Sequence, residues 1–114
     1  MTDQAREFIS SDAWLLCAIF LASKKQAASL TEIIAAGDTI NHAIFTQDEL
    51  EGGLGRLIQG GYVEATGGKF RTTDFVLREF GKHKRRKGSL LGQLEDMESF
   101  LEATFPDRGG LERA

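Results

Sequence analysis

Residues 13–22 form a run of ten with no polar side chain at any phase of a helical turn. A helix without a polar face has to be covered on every side. Trp14, Leu15, Leu16, Cys17, Ile19, Phe20 and Leu21 therefore predict a helix buried nearly all round. The run is far short of the ~20 residues that cross a bilayer, so it reads as a core element and predicts no membrane span. Ser10, Ser11 and Asp12 before it are all candidate N-caps. Lys24, Lys25 and Gln26 after it return the chain to water.

With 114 residues, one domain has to supply that cover. Ser29 and Glu32 have capping-box spacing, each able to satisfy an orphan N–H at a helix start. Leu30, Ile33, Ile34 and Ile40 then fall on one helical stripe, and Gly37-Asp38 either interrupts that helix or only weakens it. Thr46 and Glu49 repeat the capping-box spacing. Leu50, Leu54, Leu57 and Ile58 follow at i, i+4, i+7 and i+8, an amphipathic third helix that Gly60-Gly61 should end.

The period then shortens. Residues 62–66 and 69–72 are two strand-like runs around Gly67-Gly68, a pair that tolerates the positive φ angles of a hairpin turn. Thr72, Thr73 or Asp74 can cap a fourth helix carrying Phe75, Val76, Leu77 and Phe80. Residues 82–87 hold five formal positive charges in six positions. Beyond Gly88, Ser89 can cap a last helix in which Leu90, Leu94, Met97 and Leu101 recur at spacings of 4, 3 and 4. Pro106 is expected to stop it, with Gly109-Gly110 in a frayed tail.

This order of helix, helix, helix, hairpin and helix resembles the winged helix-turn-helix superfamily, which includes the MarR-like and PadR-like regulators. The match is carried by Thr46-x-x-Glu49-Leu50, then Leu54-x-x-Leu57-x-x-x-Gly61-Tyr62-Val63, then a turn and Thr72, and it covers residues 11–81. The segment Gly37-Asp38-Thr39-Ile40-Asn41 also looks like uncharacterised bacterial members of the superfamily. The expected fold class is thus mainly α with a small β-hairpin (α+β). Residues 1–88 would be a winged-helix domain with an N-terminal extension, residues 89–105 an extra C-terminal helix, and residues 106–114 a flexible tail. The resemblance implies a DNA-binding transcriptional regulator whose third helix enters a major groove while the wing touches the adjacent backbone. A winged-helix module for protein–protein interaction, without sequence-specific DNA binding, is the alternative, because a fold does not fix a function.

The outward face of the third helix bears on that choice. Opposite its leucines lie Asp48, Gly52, Gly55 and Gln59, with Gln47 at the start and Glu49, Glu51 and Arg56 on the flanks. Base reading wants Arg, Lys, Asn or Gln side chains, whereas this recognition or partner face (Gln47, Asp48, Gly52, Gly55, Arg56, Gln59) is glycine-rich and acidic. The first-turn acids suit the positive end of the helix dipole. Each interior glycine costs ~1 kcal/mol against alanine. That cost points to close approach by another backbone, from this protein or from a partner.

Phosphate contacts fall more naturally on the wing residues Lys69 and Arg71 and on the basic run Lys82, Lys84, Arg85, Arg86 and Lys87. The run also reads as a solvated helix end complementing the dipole, or as a partner for the acidic Glu95, Asp96, Glu98 and Glu102 of the last helix. Leu90, Leu94, Met97 and Leu101 must be covered, either by their own domain or across a two-fold homodimer. PadR-like regulators dimerise through helices after the wing, which is what the resemblance brings to this point. The net charge of −3 argues against indiscriminate attraction to nucleic acid. Double-stranded DNA or a protein is the expected partner, with no membrane.

Catalytic chemistry is not suggested. Cys17, the single cysteine, sits in the apolar run and reads as an inert core residue. His42 and His83 have no metal-ligand spacing, and His42 with Asp38 reads as a surface pair. Gly52-Gly53-x-Gly55 lies inside a helix and not between a strand and a helix, so it is no dinucleotide loop. Neither enzyme activity nor a cofactor or metal is expected. The lone cysteine and the start Met1-Thr2-Asp3-Gln4, without a basic leader, predict a cytoplasmic protein.

Overall fold

Helix α1 (Ser10–Ala22) is the axis of the computed structural model, which describes residues 9–83 and 90–109. After it come α2 (Leu30–Asn41), α3 (Gln47–Gln59), a hairpin of β1 (Val63–Thr66) and β2 (Lys69–Thr72), α4 (Asp74–His83) and α5 (Leu90–Gly109). The molecule is mainly helical with one antiparallel hairpin, the expected α+β class. As the all-round apolar run requires, α2, α3, α5 and β2 all pack on α1. Residues 13–19 are buried, and Trp14 is the most exposed of them at 7 %. Burial of a large apolar side chain contributes roughly 1.5–3 kcal/mol, so α1 dominates the core.

The start of α1 differs from the expectation. Ser10, Ser11 and Asp12 lie inside the helix, and the cap position falls to Ile9. Asp12, third in the helix, accepts the Ile9 N–H at 3.1 Å. The other two starts are as spaced in the sequence. Ser29 Oγ accepts the Glu32 N–H (3.2 Å) while Glu32 Oε1 accepts the Ser29 N–H (2.9 Å). Thr46 and Glu49 exchange the same pair of bonds at 3.1 and 2.9 Å.

Gly37 does not interrupt α2. A Cβ there would overlap the Phe45 ring, and Trp14 Nε1 donates to the Gly37 carbonyl at 2.9 Å. Trp14 and Phe45 stack with ring centroids 3.9 Å apart. The glycine lets one aromatic pair close over the helix. At the end of α2, His42 takes a left-handed conformation (φ 54°) and donates its N–H to the Asp38 carbonyl at 2.7 Å. The link between these two residues is therefore a backbone cap.

Some residues of the apolar stripes lie at the surface. Leu30, Ile58 and Leu77 are exposed, whereas Ile33, Leu57 and Val76 are fully buried. Adjacent helical positions turn by 100°, so Ile58 beside Leu57 and Leu77 beside Val76 leave the covered face, while Leu30 is the first residue of α2. Gly67 and Gly68 both have positive φ (60° and 80°), the geometry of a type I′ turn. Thr73 precedes α4, but its hydroxyl donates to the Gly61 carbonyl at 2.6 Å, tying α4 to the end of α3.

Helix α5 runs past Pro106 to Gly109, four residues beyond the expected stop at 105. Proline lacks the N–H that would bond to the Glu102 carbonyl, a single bond close to the helix end, so its loss does not stop the helix. Residues 110–114, like the extension 1–8, lie outside the described residues. Leu94, Met97 and Leu101 are buried within their own chain. Beside them Phe100 sits 6.0 Å from Tyr62, 5.8 Å from Phe75 and 5.6 Å from Phe80 between ring centroids. The Tyr62 hydroxyl and Thr104 Oγ1 share a hydrogen bond of 2.7 Å. Asp96, one of the acids of this helix, is also buried.

Candidate nucleic-acid interface

The hairpin register sorts its side chains. Val63 pairs with Thr72, and both face the core. One residue further along, Glu64 pairs with Arg71, and Thr66 pairs with Lys69 two residues beyond that. Strand alternation therefore puts Glu64, Thr66, Lys69 and Arg71 on one outer face, where all four are exposed. Glu64 Oε2 and Arg71 Nε form a cross-strand ion pair of 2.7 Å, each side chain half exposed. In water such a pair exchanges readily, so Arg71 can be given up to a phosphate.

A second element joins this face. Ala28, in the connection between α1 and α2, exchanges two backbone hydrogen bonds with Phe70 of β2, at 2.7 and 2.8 Å. The connection is thus held alongside the hairpin as a one-residue third strand, with Ala28 itself buried. Lys25, Gln26 and Ala27 consequently line a groove of about 460 Å³ with the hairpin face. The groove holds three cations, Lys25, Lys69 and Arg71, against one carboxylate, Glu64. In the sequence Lys24 and Lys25 mark only a return to solvent. Residues 25 and 69 are too far apart for any local signal to link them.

The remaining candidates divide. Lys82 is exposed, with Nζ 3.5 Å from Glu79 Oε2, and Glu79 also accepts from Arg78 Nε at 3.1 Å. The Arg78 hydrogen bond, with Lys82 beside it, holds the Glu79 carboxyl below its ordinary range. Lys84, Arg85, Arg86 and Lys87 lie outside the described residues. So does the side chain of Leu90.

On α3, Gln47, Asp48 and Gln59 are exposed, and Gln47 donates to Glu51 at 2.9 Å. Arg56 departs from the expected placement. It is not on an outward face, because its Nε and Nη2 reach Asp12 of α1 at 2.7 and 2.9 Å. Donating these hydrogen bonds to Asp12 raises the guanidinium pKa further, against the opposing effect of burial. As the helix has no other basic residue, its outward surface carries no cation. The glycines separate likewise. A Cβ on Gly53 would lie 2.7 Å from Leu15 Cδ2 and 3.1 Å from Asp12 Oδ1, and one on Gly52 would lie 3.3 Å from Arg56 Nη1. No other backbone approaches these two glycines: Gly53 makes room for the Leu15 and Asp12 side chains of α1, and Gly52 for the Arg56 side chain of its own helix. Only Gly55 of the three faces open space.

A homodimer through Leu94, Met97 and Leu101 would require the core to open, since those residues are already covered. Among the described residues no three His, Cys, Asp or Glu side chains converge as a metal set, and no helix is long and apolar enough to cross a membrane. No protein-family model matches the chain, and no match to it was found among curated proteins or solved structures.

Proposed function

We propose that the protein is a winged-helix DNA-binding regulator that grips duplex phosphates through its wing and basic run. The observation that carries this reading is the hairpin face, where Lys69 and Arg71 project beside a tip exposed from Glu64 to Lys69. The order of elements and the Ala28–Phe70 bridge support the winged-helix assignment. Binding of this kind positions a duplex without reading its bases, which suits an α3 surface that offers acids and no cation. The single buried cysteine fits a reducing, cytoplasmic compartment.

Fluorescence anisotropy on a mixed-sequence duplex tests the proposal. Affinity should fall steeply between about 50 and 200 mM salt, and changing Lys69, Arg71 and Arg85 together to alanine should remove most of it. A chain that binds no duplex at the lower salt is not a DNA-binding protein of this kind. The second reading, a protein-interaction module, is favoured by α3 itself, where Asp48 and Gln59 are exposed, Ile58 is 40 % exposed and Gly55 is open. It would then stand alone.

A further inference from the structure

We infer that the connection between α1 and α2 is part of the nucleic-acid surface, so that Lys24, Lys25, Lys69 and Arg71 together track one duplex phosphate backbone. The duplex then lies across the loop and wing and away from the outward face of α3. This rests on the DNA-binding reading above and assigns it a footprint.

The placement is fixed by backbone, not by side-chain chance. The paired hydrogen bonds between Ala28 and Phe70 set the loop against β2, and burial of Ala28 turns the preceding residue toward the outer face. Lys25 then shares a groove with Lys69 and Arg71. Lys24 lines the adjoining groove of about 520 Å³ with Lys25 and Gln26, its Nζ 5.7 Å from the Phe20 ring centroid.

Two carboxylates oppose this charge, and both have partners: Glu64 pairs with Arg71, and Glu32 accepts the Ser29 N–H. Because that capping box occupies the start of α2, the lysines, not the helix end, provide the attraction. On a chain of net charge −3 this is a local excess of positive charge.

The chemistry of the groove selects the ligand. It is open, with exposed cations, so a single small anion gains little there over its own hydration. A polymer of phosphates sums many such contacts and releases counterions from each. No residue lining either groove is aromatic. Single-stranded nucleic acid is held mainly by stacking on aromatic rings, so a base-paired backbone is favoured over an unpaired strand. The acidic α3 face repels phosphates and directs the duplex to the loop side.

Anisotropy titrations of the full chain with a mixed-sequence duplex, and with one of its strands alone, test the footprint. Lys24→Ala/Lys25→Ala should weaken duplex binding about tenfold at low salt. It should also flatten the salt dependence by about 1.8 in log–log slope, as expected for two lost phosphate contacts. Lys69→Ala/Arg71→Ala should do the same, whereas Asp48→Ala/Gln59→Ala should not weaken binding. Circular dichroism should show all three variants folded, since the substituted side chains are exposed, and Lys25→Gln supplies a milder loop variant. If both loop variants bind like the parent while the wing variant is weakened, this footprint is wrong and the DNA reading survives. Tighter binding of the single strand than of the duplex overturns the choice of ligand. Absence of duplex binding by the parent overturns the footprint and the DNA reading together.

Discussion

Arg56 of α3 clasps Asp12 of α1 with two hydrogen bonds, 2.7 Å from Nε to Oδ2 and 2.9 Å from Nη2 to Oδ1, where the Asp12 side chain has no exposed surface. Removing one partner of a buried pair strands the other charge, typically at 3–5 kcal/mol. Arg56→Ala should therefore destabilise the fold by about 3 kcal/mol, toward the lower end because Arg56 is partly exposed. Replacing both charges, as in Asp12→Leu/Arg56→Met, should recover part of the loss, less the Ile9 N–H bond that Asp12 also accepts. Urea denaturation of the single and double variants gives both values. A loss below about 1 kcal/mol for Arg56→Ala, the range of a surface pair, would show that the clasp does not hold α3.

Gly53 and Gly55 lie two residues apart in the same helix and should respond to alanine with opposite signs. At Gly53 the added methyl meets Leu15 and Asp12, and overpacking of this kind costs about 1–3 kcal/mol. At Gly55 it meets nothing within 4 Å, and the helix-propensity gain of roughly 0.5–1 kcal/mol should appear unopposed. Thermal melts of the two variants moving in the same direction would contradict the packing described for α3.

What the sequence disclosed was mainly local. An apolar run without a polar phase, two Ser/Thr-x-x-Glu spacings and a Gly-Gly turn each act within a few residues, and α1, the starts of α2 and α3 and the hairpin followed from them. Partners distant in sequence were not legible. Asp12 does serve the start of α1, but nothing local shows that Arg56, 44 positions later, also reaches it. Phe100 falls off the 4-3-4 apolar spacing, yet it joins three aromatic rings from the hairpin entry and α4. The candidate site behaves alike. Lys69 and Arg71 stood out because strand alternation is local, while Lys25 entered only through the Ala28–Phe70 pairing.

Cys17 makes the fold sensitive to alkali. Burial pushes its thiol up to about 12, whereas an unfolded cysteine ionises near 8.5. The native state thus holds the proton more tightly than the unfolded state. Stability from this group is intact below about pH 8.5 and is lost as pH rises toward 12. Urea midpoints measured from pH 7 to pH 10.5 should decline for the parent. Cys17→Ala, weaker at pH 7 through its cavity, should decline less, so that the gap narrows with pH. A gap independent of pH would dissociate the thiol from alkaline unfolding.

Helix α5 should prove structural before it is anything else. Met97, Phe100 and Leu101 have no exposed surface, and the Tyr62–Thr104 hydrogen bond joins α5 to the start of the hairpin. Phe→Ala in such a core costs about 3–5 kcal/mol, much of the 5–15 kcal/mol that stabilises an ordinary domain. Phe100→Ala should therefore lower the melting temperature sharply, and a chain ending at residue 89 should lose cooperative unfolding altogether. A helix serving only to join two copies would behave differently, since its removal would halve the mass in light scattering and leave the melt of each monomer intact. Circular dichroism and light scattering on the same truncated chain separate these outcomes. A folded, cooperatively melting truncation would mean that α1 needs no cover from α5, against the complete burial of residues 15, 16, 18 and 19.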